Sequence, residues 1–198
     1  MAIDQVHDLQ AVYRKILHCM SRPGTISSLT DIAERVDMNL PCYDATILSA
    51  MTFFDAETTF HILSEDQQEL IEKISEYTSA KYAPIDVADF VIVLREDTKT
   101  AIKIAIQSCK NGTLIDPQLS STWIIESAPL SNEGELTLTG PGIKHTSQLH
   151  TSFDQLMWQA RNEKTKEYPL GIDLIFTDEN AQVVCVPRTT SISLMEVS

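Results

Sequence analysis

Glycine is rationed in this chain, and its placement constrains the backbone more than any other feature. The 198 residues hold six glycines. Four of the six fall inside three short turn phrases: Ser21-Arg22-Pro23-Gly24, Thr139-Gly140-Pro141-Gly142 and Tyr168-Pro169-Leu170-Gly171. A fourth phrase, Pro187-Arg188-Thr189-Thr190, has the same punctuation without glycine. Proline fixes φ and removes a backbone donor, while glycine supplies positive φ or close backbone approach. Four backbone corners are therefore specified, and two of them carry an arginine.

Those arginines stand out because the chain is acidic, with a formal net charge of −13. Such a charge argues against nucleic acid, whose phosphates need clustered Lys and Arg. It suits a soluble protein, or a subunit that meets a more basic partner. Any anionic ligand must be held locally, since the surface as a whole repels it. The length fits one α/β domain over residues 1–198. No apolar run approaches the roughly 20 residues of a membrane helix. Residues 1–10 lack the apolar stretch of a signal peptide, so the expected location is the cytoplasm, with no membrane contact. Cys19, Cys42, Cys109 and Cys185 are too far apart for a zinc or redox motif, and reduced, mostly buried thiols are expected. The histidines show no HExxH pattern, so no metal is expected. Asn111-Gly112-Thr113 reads as a plain turn.

Helix and strand patterns interleave along the chain. Val6, Leu9, Tyr13, Ile16 and Met20 recur at spacings of three and four, which predicts a helix over 5–20 ended by the first corner. A second helix is expected over 43–53 and a strand over 58–63. Ser64-Glu65-Asp66-Gln67 reads as a capping box for a helix with Leu70, Ile71, Ile74 and Tyr77 on one face. Residues 89–95 form a continuous β-rich run, the pattern of a central strand covered on both faces. Asp97 can cap the next helix, which turns Ala101, Ile102, Ala105 and Ile106 inward and stops before Gly112. Strands follow over 122–126, 135–139 and, more weakly, 144–150. Ser152-Phe153-Asp154-Gln155 reads as a second capping box, for a helix with Phe153, Leu156, Met157 and Ala160 inward. Residues 172–177 and 182–186 form a hairpin about Asp178-Glu179-Asn180. The sum is a three-layer α/β fold with a mixed sheet.

No common catalytic signature is present: GxGxxG, GxxxxGK[ST] and GxSxG are all missing. Gly140 and Gly142 make either a tight turn or a backbone nest that approaches a ligand. Arg22, beside Gly24, is either a charge at a helix end or an anion-capturing guanidinium. Arg188 with Thr189 and Thr190 has the donor types that phosphate oxygens accept from. Asp55 and Glu57 are either an acid/base pair or a solvated loop. His145 and His150, five apart on the candidate strand, would face opposite ways, and His145 lies nearer the second corner. Lys144 could form a Schiff base with pyridoxal phosphate if its pocket were desolvated.

In order and spacing, these phrases resemble the PhnH family, a subunit of the bacterial carbon–phosphorus lyase core complex. The stretches that carry the resemblance begin with Tyr13-Arg14-Lys15-Ile16-Leu17-His18-Cys19-Met20-Ser21-Arg22-Pro23-Gly24-Thr25 and Phe54-Asp55-Ala56-Glu57-Thr58. Leu136-Thr137-Leu138-Thr139-Gly140-Pro141-Gly142-Ile143 and Tyr168-Pro169-Leu170-Gly171-Ile172-Asp173-Leu174 follow, and Val186-Pro187-Arg188-Thr189-Thr190 closes the set. The resemblance runs from about residue 10 to about residue 190. Two departures are small-for-small: Ser120-Ser121-Thr122 where the family often has Gly-Ala-Thr, and Cys19 where it tends to have Ala.

The resemblance implies a fold like that of pyridoxal-phosphate-dependent transferases, without the cofactor. It implies a homodimer when isolated and PhnG, PhnI and PhnJ as partners in the cell. The complex would take ATP and an alkylphosphonate, displace adenine and join the phosphonate to the ribose C1, giving a ribose 1-phosphonate 5-triphosphate. The later radical cleavage would belong to PhnJ and its iron–sulfur cluster. Three readings stay open: a subunit that supports the transfer, a scaffold of the same complex, and a free-standing pyridoxal-phosphate enzyme. Under the first two, the isolated chain has no independent activity.

Overall fold

The periodicities resolve into two sheets and six helices in a computed structural model that describes residues 3–64 and 67–194. The chain runs α1 (His7–Ser21), β1 (Ser27–Ser28), α2 (Thr30–Ala33), α3 (Asp44–Phe53), β2 (Thr59–Ile62), α4 (Gln68–Thr78), β3 (Lys81–Tyr82), β4 (Phe90–Val93) and α5 (Lys99–Ser108). It continues through β5 (Thr122–Ser127), β6 (Ser131–Thr139), β7 (Ser147–His150), α6 (Gln155–Lys164), β8 (Asp173–Asp178), β9 (Gln182–Val186) and β10 (Ser191–Leu194).

The larger sheet has seven strands in the order β1-β9-β8-β5-β4-β2-β3. From β8 to β3 the pairings are parallel, and β9 and β1 add antiparallel edges. The sheet is therefore mixed, as the sequence predicts. A second, antiparallel sheet, β10-β6-β7, was not foreseen as a separate layer element.

Both faces of the large sheet are covered, and residue alternation divides the core in two. Ile92, Ile124, Ile175, Val183 and Cys185 face α1 to α4. Val91, Val93, Trp123, Ile125, Leu174, Phe176, Val184 and Val186 face α5, α6 and the small sheet. This is why β4 reads as an unbroken apolar run: Val91, Ile92 and Val93 are all buried, on alternate sides. The chain leaves β2 through α4 toward β3, but leaves β4 through α5 toward β5. The two helices lie on opposite faces. The direction of winding thus reverses between β2 and β4.

Several local expectations shift. Helix α1 buries Asp8, Val12, Ile16 and Cys19 and leaves Val6 and Tyr13 exposed, and α4 buries Leu70 and Ile74 but not Tyr77. The first capping box includes Glu65 and Asp66, which lie outside the described residues, and α4 has Gln67 at its N-cap without a side-chain cap bond. Thr98, rather than Asp97, caps α5 by accepting from the Ala101 amide, while Asp97 accepts from the Leu94 amide at 2.8 Å. Asp154 caps α6 by accepting from the amides of Leu156 and Met157, so the helix starts later than Ser152 would set it. Its buried residues are Met157, Trp158 and Arg161, with Leu156 turned to solvent. The strand expected over 144–150 is only Ser147–His150, which leaves Lys144 and His145 in a loop.

Candidate functional site

The four corners pack against one another. Helix α1 closes with the Arg22 amide donating to the His18 carbonyl at 3.0 Å and the Ser21 hydroxyl donating to the same oxygen at 2.9 Å. Pro23 cannot extend the helix, and Gly24 turns the chain toward β9, its amide 3.4 Å from the Cys185 carbonyl. The Gly24 carbonyl accepts from Asn132 Nδ2 at 2.8 Å, and the same amide group reaches the Gln148 carbonyl at 2.9 Å. The first corner is thereby tied to the small sheet.

The second corner leaves β6 and lies on the first. Gly142 has φ of +83°, and a Cβ there would collide with the Ser21 carbonyl and stand 3.0 Å from Pro23 Cδ. Gly140 lies against the fourth corner, where an added Cβ would sit 2.9 Å from the Thr189 carbonyl. The fourth corner in turn meets the third. A Cβ on Gly171 would sit 3.1 Å from Arg188 Cβ and 2.6 Å from Thr165 Cγ2. The Tyr168–Pro169 peptide bond in this third corner is cis. Four phrases far apart in sequence thus form one continuous knot.

The two corner arginines differ in what they hold. Arg188 is engaged: its amide donates to Asp173 Oδ1 at 2.7 Å, its Nε lies 3.2 and 3.1 Å from the two carboxylate oxygens, and its Nη1 donates to the Pro117 carbonyl at 2.6 Å. The local structure therefore satisfies much of the capacity that sequence reasoning assigned to a ligand. Arg22 is exposed, and its side chain has no ion pair or hydrogen bond among the described residues. Thr189 is also exposed.

A third arginine, missed by sequence reasoning, lies beneath the fourth corner. Arg161 on α6 is 1% exposed. Its Nη1 donates to the Thr190 carbonyl at 2.9 Å and to Asn162 Oδ1 at 3.2 Å, and its Nη2 donates to the Pro187 carbonyl at 2.6 Å. Burial pulls its guanidinium down to about 10, with Asp173 opposing the shift, so it remains charged at neutral pH. The signal was available: Arg161 stands four positions after Met157 and three after Trp158, on the face those residues bury. A cavity of about 380 Å³ opens beside it, lined by Arg161, Thr165, Lys166, Arg188, Thr190 and Ser191 among others.

A second cavity, of about 340 Å³, lies at the carboxyl ends of β2, β4 and β5, where the winding reverses. In open α/β sheets this is where ligand crevices form. Its lining includes Cys42, Tyr43, Arg95, Glu96 and Glu126. Glu126 is 5% exposed and acts as a cap for α3 from another element, accepting from the Tyr43 amide and, at 2.9 Å, from the Thr46 hydroxyl. Loss of solvation raises its carboxyl above the usual glutamate range.

The remaining candidates stand away from the corners' packing. Asp55 accepts from the amides of Glu57 and Thr58 at 2.9 and 3.1 Å, closing a turn before β2, and both acids are exposed. His145 and Lys144 are exposed in the loop after the second corner. The solvated setting of Lys144 is the reverse of the apolar pocket that an activated lysine requires. Cys19, Cys109 and Cys185 are buried, Cys42 is half-buried, and all four are free thiols. Among the described residues no group of three or more His, Cys, Asp or Glu could hold a metal, and no helix is long and apolar enough to cross a membrane.

Comparison with known proteins gives a consistent result. The family described as "Bacterial phosphonate metabolism protein (PhnH)" matches residues 2–193. HtxG of Stutzerimonas stutzeri, named provisionally as a C-P lyase subunit protein, is 27% identical over 190 residues, covering 93% of this chain and 86% of the relative. The alpha-D-ribose 1-methylphosphonate 5-triphosphate synthase subunit PhnH of Rhizobium meliloti (strain 1021) is 28% identical over 200 residues, covering 96% of this chain and 92% of the relative.

Proposed function

The chain belongs to the PhnH family of bacterial phosphonate metabolism proteins, and from that premise we propose that it works as a subunit of a carbon–phosphorus lyase assembly. In this reading it supports the joining of an alkylphosphonate to the ribose of ATP, beside PhnG, PhnI and PhnJ type subunits in the cytoplasm, and pairs with a second copy of itself when isolated. That chemistry requires anion binding, electrostatic stabilisation at the ribose carbon and protonation of the departing base. A fold-level kinship with pyridoxal-phosphate-dependent transferases, without the cofactor, is part of the same proposal. Superposing an experimental structure on such a transferase would test it.

The observation that carries the reading is full-length similarity to two relatives named for this machinery. The knot of corners adds to it. Gly24, Gly140 and Gly142 hold the backbone in a fixed shape, and that shape presents the Arg22 side chain to solvent with no partner among the described residues. A guanidinium so placed is available to an anionic ligand or to a carboxylate of a neighbouring subunit.

The test is complementation. A bacterium lacking its own PhnH gene receives this chain together with the other core subunits of its source. Growth on methylphosphonate as the sole phosphorus source, and co-purification of the tagged chain with those subunits, are the expected results. Failure of both, with the chain folded and expressed, would overturn the proposal.

A further inference from the structure

We propose that the cavity at the carboxyl end of α6 is an oxyanion site, taking a phosphate or phosphonate group against Arg161, Lys166 and the hydroxyls of the 187–192 segment. Its volume of about 380 Å³ falls within the range of small-molecule sites, roughly 300–1,000 Å³.

The charge balance is the first argument. Among the described residues, three cations line the cavity, Arg161, Lys166 and Arg188, and no Asp or Glu does. In a chain of net charge −13 this is a local inversion. Asp173 is the nearby carboxylate, and it is already bound by the amide and guanidinium of Arg188. Lys166 keeps only a loose pair with Glu163 at 3.8 Å, with both side chains 76% exposed. The carboxyl end of a helix carries only about half a negative charge, too little to answer the remaining cations.

Arg161 is the second argument. The groups that accept its hydrogen bonds are all neutral: the carbonyls of Thr190 and Pro187 and the side-chain oxygen of Asn162. The nearby carboxylate that favours its charge is Asp173, which Arg188 already holds, and an incoming oxyanion would supply a counter-charge of its own. The polar groups left over point the same way. Arg161 Nε and Thr190 Oγ1 are buried without a partner among the described residues, and both residues line the cavity. Buried polar groups in folded proteins are nearly always paired. An N–H donor and a hydroxyl left open together match the acceptors of a tetrahedral oxyanion.

This inference goes beyond the subunit reading and is separable from it: a failed co-purification leaves the cavity intact, and a failed titration leaves the subunit reading intact. The full-length chain is titrated at constant ionic strength with inorganic phosphate, methylphosphonate and tripolyphosphate. Thermal unfolding and the NMR signal of the Arg161 Nε–H follow the binding. At about ten times the dissociation constant, binding to the folded state alone raises Tm by about 3–6 °C. Lys166→Glu and Thr189→Val, both at exposed positions that leave the fold unchanged, each weaken binding, the former about tenfold. Preference for methylphosphonate marks a seat for the phosphonate substrate, and preference for tripolyphosphate marks one for a nucleotide tail. Either supports an oxyanion site. The proposal is overturned if no anion raises Tm above the chloride control, or if binding saturates yet ignores Lys166→Glu and leaves the Arg161 Nε–H signal unmoved.

Discussion

Arg188 and Asp173 hold each other through main chain and side chain at once. The Arg188 amide sits 2.7 Å from Asp173 Oδ1 while its Nε spans both carboxylate oxygens, and the pair is only 16% and 20% exposed at the side chains. Asp173 opens β8 and Arg188 follows β9, so the pair clamps the open end of that hairpin. The consequence is that Arg188 is first a fastener. Arg188→Ala should cost about 1.5–3 kcal/mol, the range for hydrogen bonds to charged groups. In urea denaturation, a double-mutant cycle with Asp173→Asn should return a coupling above about 0.5 kcal/mol. A loss smaller than that from Arg188→Ala would show that the clamp is decorative.

Gly142 is fixed by backbone conformation and by space together. Its φ of +83° is costly for any residue with a Cβ, and the Ser21 carbonyl occupies the place where that atom would go. Gly142→Ala should therefore lose about 1–3 kcal/mol from backbone strain alone, with more from the collision. Thermal unfolding measures it. A variant as stable as the parent would mean that the first two corners can part without penalty.

Arg22 makes the opposite prediction. It is exposed and has no side-chain partner among the described residues, so Arg22→Ala should change stability by no more than about 0.5 kcal/mol. Growth on methylphosphonate should nevertheless fall in a complemented strain. Normal growth with normal co-purification would remove Arg22 from the functional surface.

Glu126 gives a pH dependence whose sign is fixed. Loss of solvation raises its carboxyl, the neighbouring Asp97 adds to the rise, and the hydrogen bonds from Tyr43, Thr46 and Arg95 oppose it. A raised acid binds its proton more tightly in the folded chain than in the unfolded one. Its contribution is whole below the ordinary glutamate pKa and is lost as pH rises through the raised value. Glu126→Gln has no such titration. The stability difference, parent minus variant, should therefore shrink as pH rises above the ordinary glutamate pKa of about 4.3. A difference that widens over that range would show that the carboxylate is favoured by the fold.

Much of the fold was legible because periodicity and burial coincide. The two-sided run of β4 has one structural solution once a sheet is present. In α1 the spacing of three and four signalled the helix but not its face, since Val12, Ile16 and Cys19 are buried while Val6 and Tyr13 are exposed. Misplaced helix starts had a different cause. Ser152 and Asp154 are both good caps, and Thr98 competes with Asp97; tertiary packing made each choice. Ser27–Ser28 and Ser191–Leu194 were missed as strands because a short polar segment becomes a strand only when an edge recruits it. The candidate site divides in the same way. The corner phrases could be read as turns, but their mutual contact could not, since nothing local links Gly140 to Thr189. Arg161 was hidden by residue type, because arginine on a helix is usually assigned to solvent.

The knot of corners also orders events in time. Asn132 reaches back 108 positions to the Gly24 carbonyl, and Gly24 itself leans on Cys185. Contacts of such long range close late in folding. On a ribosome, the parallel strands β2, β4 and β5 can pair before β8 and β9 are made, but α1 packs on β9, and the corner that displays Arg22 cannot be finished until the fourth corner has emerged. In a nascent chain the backbone shape around Arg22 is thus complete only once the last strands have been made.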